Sequence, residues 1–258
     1  MHSALCEERH DERPRHGAHY DGPSLAKLAV TDHLGDVPES DARSSRGSAP
    51  TSRIETLACA SVLECHLTKS HEMRDQRPPL AYPDPPLTDG VVVLRRWARD
   101  DLGCVEEATQ DPYIPKGTTV PATFTPTEGL AWIERQWSRH DEGTGLSQAI
   151  ADAASNEALG AAVLMARQSG TVEIGYWLIP RARGLGFGSR AVGLLARWAV
   201  TEVPLARVEA LVVPDNIASQ CVLEKVGFRR EGHLRSYLVF EGQRADALIY
   251  SLLPSDLS

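Results

Sequence analysis

The sequence predicts an α/β (α+β) fold, a mixed sheet with flanking helices, carried by residues 84–258. Three observations point there. Short runs rich in β-branched and apolar residues alternate with stretches of helical periodicity beyond residue 90. One such run, Glu173-Ile-Gly-Tyr-Trp-Leu-Ile-Pro180, passes through a turn with three alternating glycines, Gly184, Gly186 and Gly188, into a helical stretch. All five Trp and all four Phe lie beyond residue 90, so the material for a core is concentrated there.

Residues 1–83 have little to bury. Tyr20 and Tyr82 are their only aromatics, and their 10 basic and 13 acidic residues are interspersed with Ser, Pro and Gly. That composition predicts a disordered N-terminal extension ending in a proline-rich linker over 78–86. It is not a basic arm for nucleic acid. Within it, Ile54, Leu57, Ala58, Val62 and Cys65 have the spacing of one short amphipathic helix. Cys59, Cys65, His66 and His71 match no structural zinc spacing, so no metal is expected. Residues before Met73 are expected to be dispensable, or to arise from an upstream start. Residues 1–22 have no apolar core of the kind a signal peptide needs. No run of about 18 apolar residues occurs, so no membrane span is expected. Five irregularly spaced cysteines fit a reducing cytoplasm. A net charge of −8 favours cationic amines over nucleic acid as partners.

Taken in order, residues 91–95 read as the first strand. Asp100 or Asp101 caps a helix through about residue 110, because an Asp side chain accepts from free helix N–H groups. Residues 111–125, with their prolines and threonines, read as a loop. Thr127 and Glu128 open a helix to about residue 139, with Leu130, Ile133 and Trp137 on one face. Residues 147–151 and 159–166 read as strands joined across 152–157, and 172–179 as the strand before the glycine turn. In the next helix, over 189–200, Val192, Leu195, Ala196 and Ala199 recur at helical spacing and must face the sheet. Trp198 there is assigned to packing. Residues 207–214 read as a strand and 217–225 as a short helix that Gly227 stops. Strands over 232–240 and 245–252 close the chain, with Glu241-Gly242-Gln243 as their turn.

The glycine turn carries the chemistry. The first N–H groups of a helix have no internal partner, the helix dipole favours an anion there, and glycines let a ligand approach the backbone. A phosphorylated ligand is therefore expected at residues 184–189. A P-loop needs Lys followed by Ser or Thr at the loop end, and neither is present. A dinucleotide fingerprint needs G-x-G-x-x-G early in a βαβ unit; here the spacing is G-x-G-x-G, deep in the chain, with Glu202 at the helix end. A helix start after a tight turn, with no ligand at all, is the competing reading.

Arg183-x-x-Gly186-x-Gly188 resembles the pyrophosphate-binding signature of the GNAT acyltransferases. Gly175-Tyr176-Trp177-Leu178 before it, and Asn216-x-x-Ser219 and Gly227-Phe228 after it, resemble the RimJ/RimL-like branch. The resemblance spans about residues 87–253. It implies a GNAT-type, mostly antiparallel twisted sheet, split around the acyl-CoA site. It implies an acetyl-CoA-dependent N-acetyltransferase that moves an acetyl group to a primary amine by direct attack in a ternary complex. The acceptor is a protein N-terminus or a small-molecule amine, an aminoglycoside-type antibiotic included. Leu178, Ile179, Arg183, Gly184, Leu185, Gly186, Phe187, Gly188, Ser189, Asn216 and Ser219 would then bind the cofactor. A backbone N–H near Leu178 would polarise the carbonyl, and Arg183 would add charge near the phosphates. Ser219 would protonate the departing thiolate, and Asn216 would bridge the strand edge and the cofactor. Their competing roles are a first-turn hydrogen bond and a helix N-cap. Glu173 is the leading general base, through a water, against a solvent-facing edge carboxylate. Tyr237 is a second candidate for proton transfer, and His140 and His233 are assigned structural or exposed roles. The family contains monomers and homodimers. A non-catalytic acyl-CoA-binding module is the alternative, and a nicotinamide enzyme is disfavoured by the loop spacing.

Overall fold

The two apolar stretches on either side of residue 168 become the centre of the sheet. A computed structural model of the chain describes residues 25–26, 80–167, 170–240 and 243–257. All fall in one of two compact units, the one that excludes Val30–Asp75. The helix expected over 54–67, the Cys59, Cys65, His66 and His71 group, Met73, and the turn residues 241–242 lie outside the described residues.

The strands are β1 (Leu25–Ala26), β2 (Leu87–Thr88), β3 (Val92–Arg95), β4 (Gly145–Asp152), β5 (Ala158–Ala166), β6 (Thr171–Leu178), β7 (Arg207–Val212), β8 (Arg229–Phe240) and β9 (Gln243–Leu252). The helices are α1 (Leu102–Gln110), α2 (Ile114–Gly117), α3 (Pro126–Asp141), α4 (Phe187–Glu202) and α5 (Ile217–Val226). The sheet runs β2-β3-β4-β5-β6-β7-β9-β8, with β1 paired to β6 off this path. Every pairing is antiparallel except β6 with β7. The expected mixed, mostly antiparallel sheet with flanking helices is what forms.

β4, β5 and β6 are buried on both faces, which is why they read as near-continuous apolar runs. Above one face sit three tryptophans: Trp97 meets Trp132 of α3 edge-on at 4.9 Å and stacks on Trp177 of β6 at 6.2 Å. Trp132 and Ile133 are the buried apolar residues of α3, while Leu130 and Trp137 are half-buried at its flanks. On α4 the expected stripe is buried, extended by Ala191 and Val200, and Trp198 packs against the core as a partly buried neighbour. β5 and β6 approach tightly at Gly160, where a Cβ would lie 2.0 Å from the Trp177 carbonyl oxygen.

Several local expectations change. Asp101 does not cap α1 with its side chain; the carboxylate pairs with Arg95 at 2.8 Å and accepts the Ala98 N–H. The guanidinium outcompetes weaker helix amides for the same oxygens. The loop over 111–125 contains α2, because Asp111 folds it by accepting the N–H groups of Tyr113 and Ile114, each at 2.9 Å. The linker is anchored: the Tyr82 hydroxyl donates to the Ser147 carbonyl at 3.2 Å, and its ring lies 5.2 Å from His140 and 4.7 Å from the Arg96 guanidinium. Cys104 is a buried free thiol, whereas Cys221 is disulfide-bonded, which runs against the reducing compartment read from the irregular cysteine spacing. Among the described residues no helix is long and apolar enough to cross a membrane.

Candidate active site

The two edges of β6 have different fates. The Ile179 N–H donates to the Leu159 carbonyl, and the Arg167 N–H to the Thr171 carbonyl, both at 2.9 Å. Hydrogen-bonded pairs alternate in an antiparallel ladder, so the odd-numbered residues of β6 turn their amides toward β5. The amides of Ile174, Tyr176 and Leu178 then point the other way. β7 pairs with that second edge only at Thr171, Val172 and Glu173. Beyond Glu173 the two strands part. In the opening, the chain's own β1 pairs with the edge, Leu25 opposite Trp177 and Ala26 opposite Tyr176. A backbone edge of this kind needs a hydrogen-bonding partner, from the chain or from a ligand.

Beside the opening stands the glycine turn. Gly184 (φ 74°) and Gly186 (φ 85°) occupy the left-handed region, and Gly186 is the residue that leads into α4. A Cβ at either would meet nothing within 4 Å, so conformation and not crowding selects glycine there. Gly188 is selected by approach: its Cβ would lie 3.3 Å from Tyr176 Cε2 and 3.6 Å from Leu178 Cδ1. Among the described residues, the N–H groups of Leu185, Gly186, Phe187, Gly188 and Ser189 have no hydrogen-bond acceptor. Five such amides at a helix start make an anion cradle, and they fit a pyrophosphate.

Two of the expected cofactor residues are engaged otherwise. The Arg183 Nε donates to the Leu178 carbonyl at 3.0 Å, and its Nη2 lies 2.8 Å from Asp111 Oδ2, a carboxylate 1% exposed. The Asp111 pair braces the turn against the α1–α2 connection and offsets the Arg183 charge beside the glycine turn. Ile179 gives its N–H to Leu159 and its carbonyl to the Ala182 N–H, and its side chain is buried. It therefore has no polar group for the opening, whereas Leu178 keeps its N–H directed there.

α5 delivers Ser219. Asn216 caps the helix, its Oδ1 accepting the Ser219 N–H at 3.1 Å, so the cap role expected for it is present. Gly227 (φ 108°) ends the helix, with its own N–H bonded to the Leu223 and Glu224 carbonyls. The Ser219 hydroxyl lies 3.1 Å from the Tyr176 hydroxyl, and both residues are 0% exposed.

Glu173 is not a solvent-facing carboxylate. It is buried, and Arg167 donates to its Oε2 from Nη2 at 2.7 Å and from Nε at 3.2 Å. Its Oε1 is buried with no partner among the described residues. Burial pushes its pKa above the ordinary carboxylate value; Arg167 pulls it down, and the Glu209 charge adds to the rise. Strand alternation puts Glu173 and Trp177 on one face of β6 and Tyr176 on the other. Tyr237 stands apart. It is 55% exposed on β8, the outermost strand, at a register shift where Ser236 has φ 52°. No contact joins it to Ser219 or Glu173 among the described residues.

Sequence reasoning missed Tyr176 and Asp111. Tyr176 lies inside the Gly-Tyr-Trp-Leu motif, but which of its two aromatics faces α5 depends on strand parity. Asp111 lies at the start of an apparent loop, and nothing local marks its ion pair with Arg183.

The chain matches the family model described as the acetyltransferase (GNAT) domain over residues 92–229, more than half its length. It is 29% identical over 162 residues to the uncharacterized N-acetyltransferase YoaA of Bacillus subtilis, covering 62% of this chain and 80% of YoaA. It is 37% identical over 81 residues to the putative ribosomal N-acetyltransferase YdaF of the same organism, covering 31% of this chain and 44% of YdaF. Among solved structures, Mycobacterium smegmatis RimJ in complex with CoA-disulfide superposes with a TM-score of 0.56 at 25% identity, over 70% of this chain and 92% of that one. The chain belongs to the GNAT acetyltransferase family: it is an acetyl-CoA-dependent N-acyltransferase.

Proposed function

We propose that this enzyme acetylates the α-amino group of a peptide, or a small amine of similar basicity, by direct attack on acetyl-CoA in a ternary complex. The observation that carries the reading is the amide cradle at the start of α4, set beside a β6 edge that β7 leaves. In this reading the amides of residues 185–189 hold the pyrophosphate. The Leu178 N–H polarises the thioester carbonyl, as a preorganised donor does. Ser219 protonates the departing thiolate, and Asn216 fixes the helix turn that carries it. Glu173 takes the proton of the amine through a water; its raised pKa suits a base working near neutral pH. Residues 84–258 form the catalytic domain, with Leu80 and Tyr82 packed onto it.

Basicity argues for the acceptor. An α-amine has a pKa of about 7.7–8.0 and a lysine about 10.4, so at pH 7 the lysine needs over three units of deprotonation at about 1.4 kcal/mol each. One carboxylate already paired with Arg167 suits the first task better. The ribosomal acceptor in the name of YdaF supports the same choice. An acetyl-CoA donor suits a cytoplasmic enzyme, and the residues named lie within one chain, so monomer and homodimer both serve.

The test is thiol release from acetyl-CoA in the presence of N-terminal peptides, polyamines and aminoglycosides. Release with peptides is the expected result. Release with aminoglycosides alone would overturn the acceptor. Ser219→Ala should lower kcat about 100-fold while CoA affinity stays unchanged. A wild-type rate in that variant would remove Ser219 from the mechanism.

A further inference from the structure

Serine alone is a poor acid. If Ser219 gives its proton to a thiolate, an alkoxide is left in a site that is 0% exposed, and an unmatched buried charge is costly. A second proton must follow. The hydroxyl 3.1 Å away belongs to Tyr176, and a phenol is a far better proton donor than an aliphatic alcohol. The two hydroxyls are held from independent elements. Tyr176 is fixed by β6, with its ring against Gly188 at the start of the phosphate-cradling helix. Ser219 is fixed by the Asn216 cap of α5.

We propose that Tyr176 is a positioning residue for the transfer, orienting the Ser219 hydroxyl and resupplying its proton as the thiolate leaves. The proposal rests on the role given to Ser219 above. As the tetrahedral adduct collapses, the carbon–sulfur bond breaks and its electron pair goes to sulfur. The Ser219 Oγ proton passes to sulfur, making the thiol. The Tyr176 Oη proton passes to Oγ. Glu173 releases the proton it took from the amine to solvent water, and water returns one to the tyrosinate. One proton leaves nitrogen and one arrives at sulfur, so the enzyme is restored with nothing else consumed.

Tyr176→Phe keeps the ring packed on Gly188 and removes only the hydroxyl. Steady-state kcat with saturating acceptor and the CoA Kd by calorimetry should be measured for this variant, for Ser219→Ala and for the double variant. The expected result is a fall in kcat of about 10-fold or more for Tyr176→Phe, with CoA Kd within about two-fold of wild type. The double variant should be no slower than Ser219→Ala, because the tyrosine acts only through the serine. If Tyr176→Phe turns over at the wild-type rate while Ser219→Ala is slow, the relay is wrong and the serine role stands. If Ser219→Ala itself runs at the wild-type rate, the earlier reading falls and this one with it. Loss of CoA affinity in parallel with rate, or multiplicative losses in the double variant, would mark Tyr176 as packing and overturn the proposal.

Discussion

Gly186 has a φ of 85°, in a conformation L side chains rarely adopt, among amides that have no acceptor among the described residues. Gly186→Asp adds strain and puts a carboxylate where the diphosphate should sit, so calorimetry should find no CoA binding. Unchanged affinity would reject the loop assignment. Glu173 makes a second prediction. Its pKa is raised by burial, and a base works only when deprotonated. The rate should therefore fall as pH drops through a range above that of ordinary carboxylates. Glu173→Gln should abolish that limb and lower kcat about 100-fold at neutral pH; a pH–rate profile that keeps the limb would reassign the base. At this scale the chain's text was readable where a residue's role is local. The conformations of Gly184 and Gly186, and the Asn216 cap, follow from near neighbours. The Arg183 ion pair was not legible because its partner, Asp111, is distant in sequence, and Tyr176 was passed over because its partner, Ser219, lies on another element.

Elements with a sustained period were legible, and short or doubly solvated ones were not. The stripe on α4 and the apolar runs of β5 and β6 announced themselves. β2 has two residues and no period, and α2 has four, including Pro115 and Gly117. β8 begins earlier than expected because Arg229, Arg230 and Glu231 are exposed residues of an outer strand and carry no buried alternation. The end of α5 offers an element-scale test. A Cβ at Gly227 would sit 3.8 Å from Leu252 Cδ1, an ordinary contact, so the burden of Gly227→Ala is its φ of 108° alone. That change should destabilise the fold by about 1 kcal/mol and lower Tm by about 2–4 °C. CoA affinity should hold; a variant as stable as wild type would show that the cap does not matter.

For the molecule as a whole, the sheet order and the parting of β6 from β7 were not readable from periodicity. Periodicity says which face a strand buries and nothing about which strand lies at its edge, so this came through family resemblance. β1 adds a test of the front of the chain, because it pairs with the same edge that the proposed mechanism gives to the thioester. A protein beginning at Met73 should fold, turn over, and bind CoA at least as tightly as the full chain. Loss of folding or activity would show that the extension is required. Glu173 and the Ser219–Tyr176 pair lie on opposite sides of β6, so in the proposed mechanism amine deprotonation and thiol departure are served from different faces of one strand. On that mechanism, mutations on the tryptophan side would retune amine choice while leaving thiol departure alone, and a scaffold of this design would diversify its clients without relearning its chemistry.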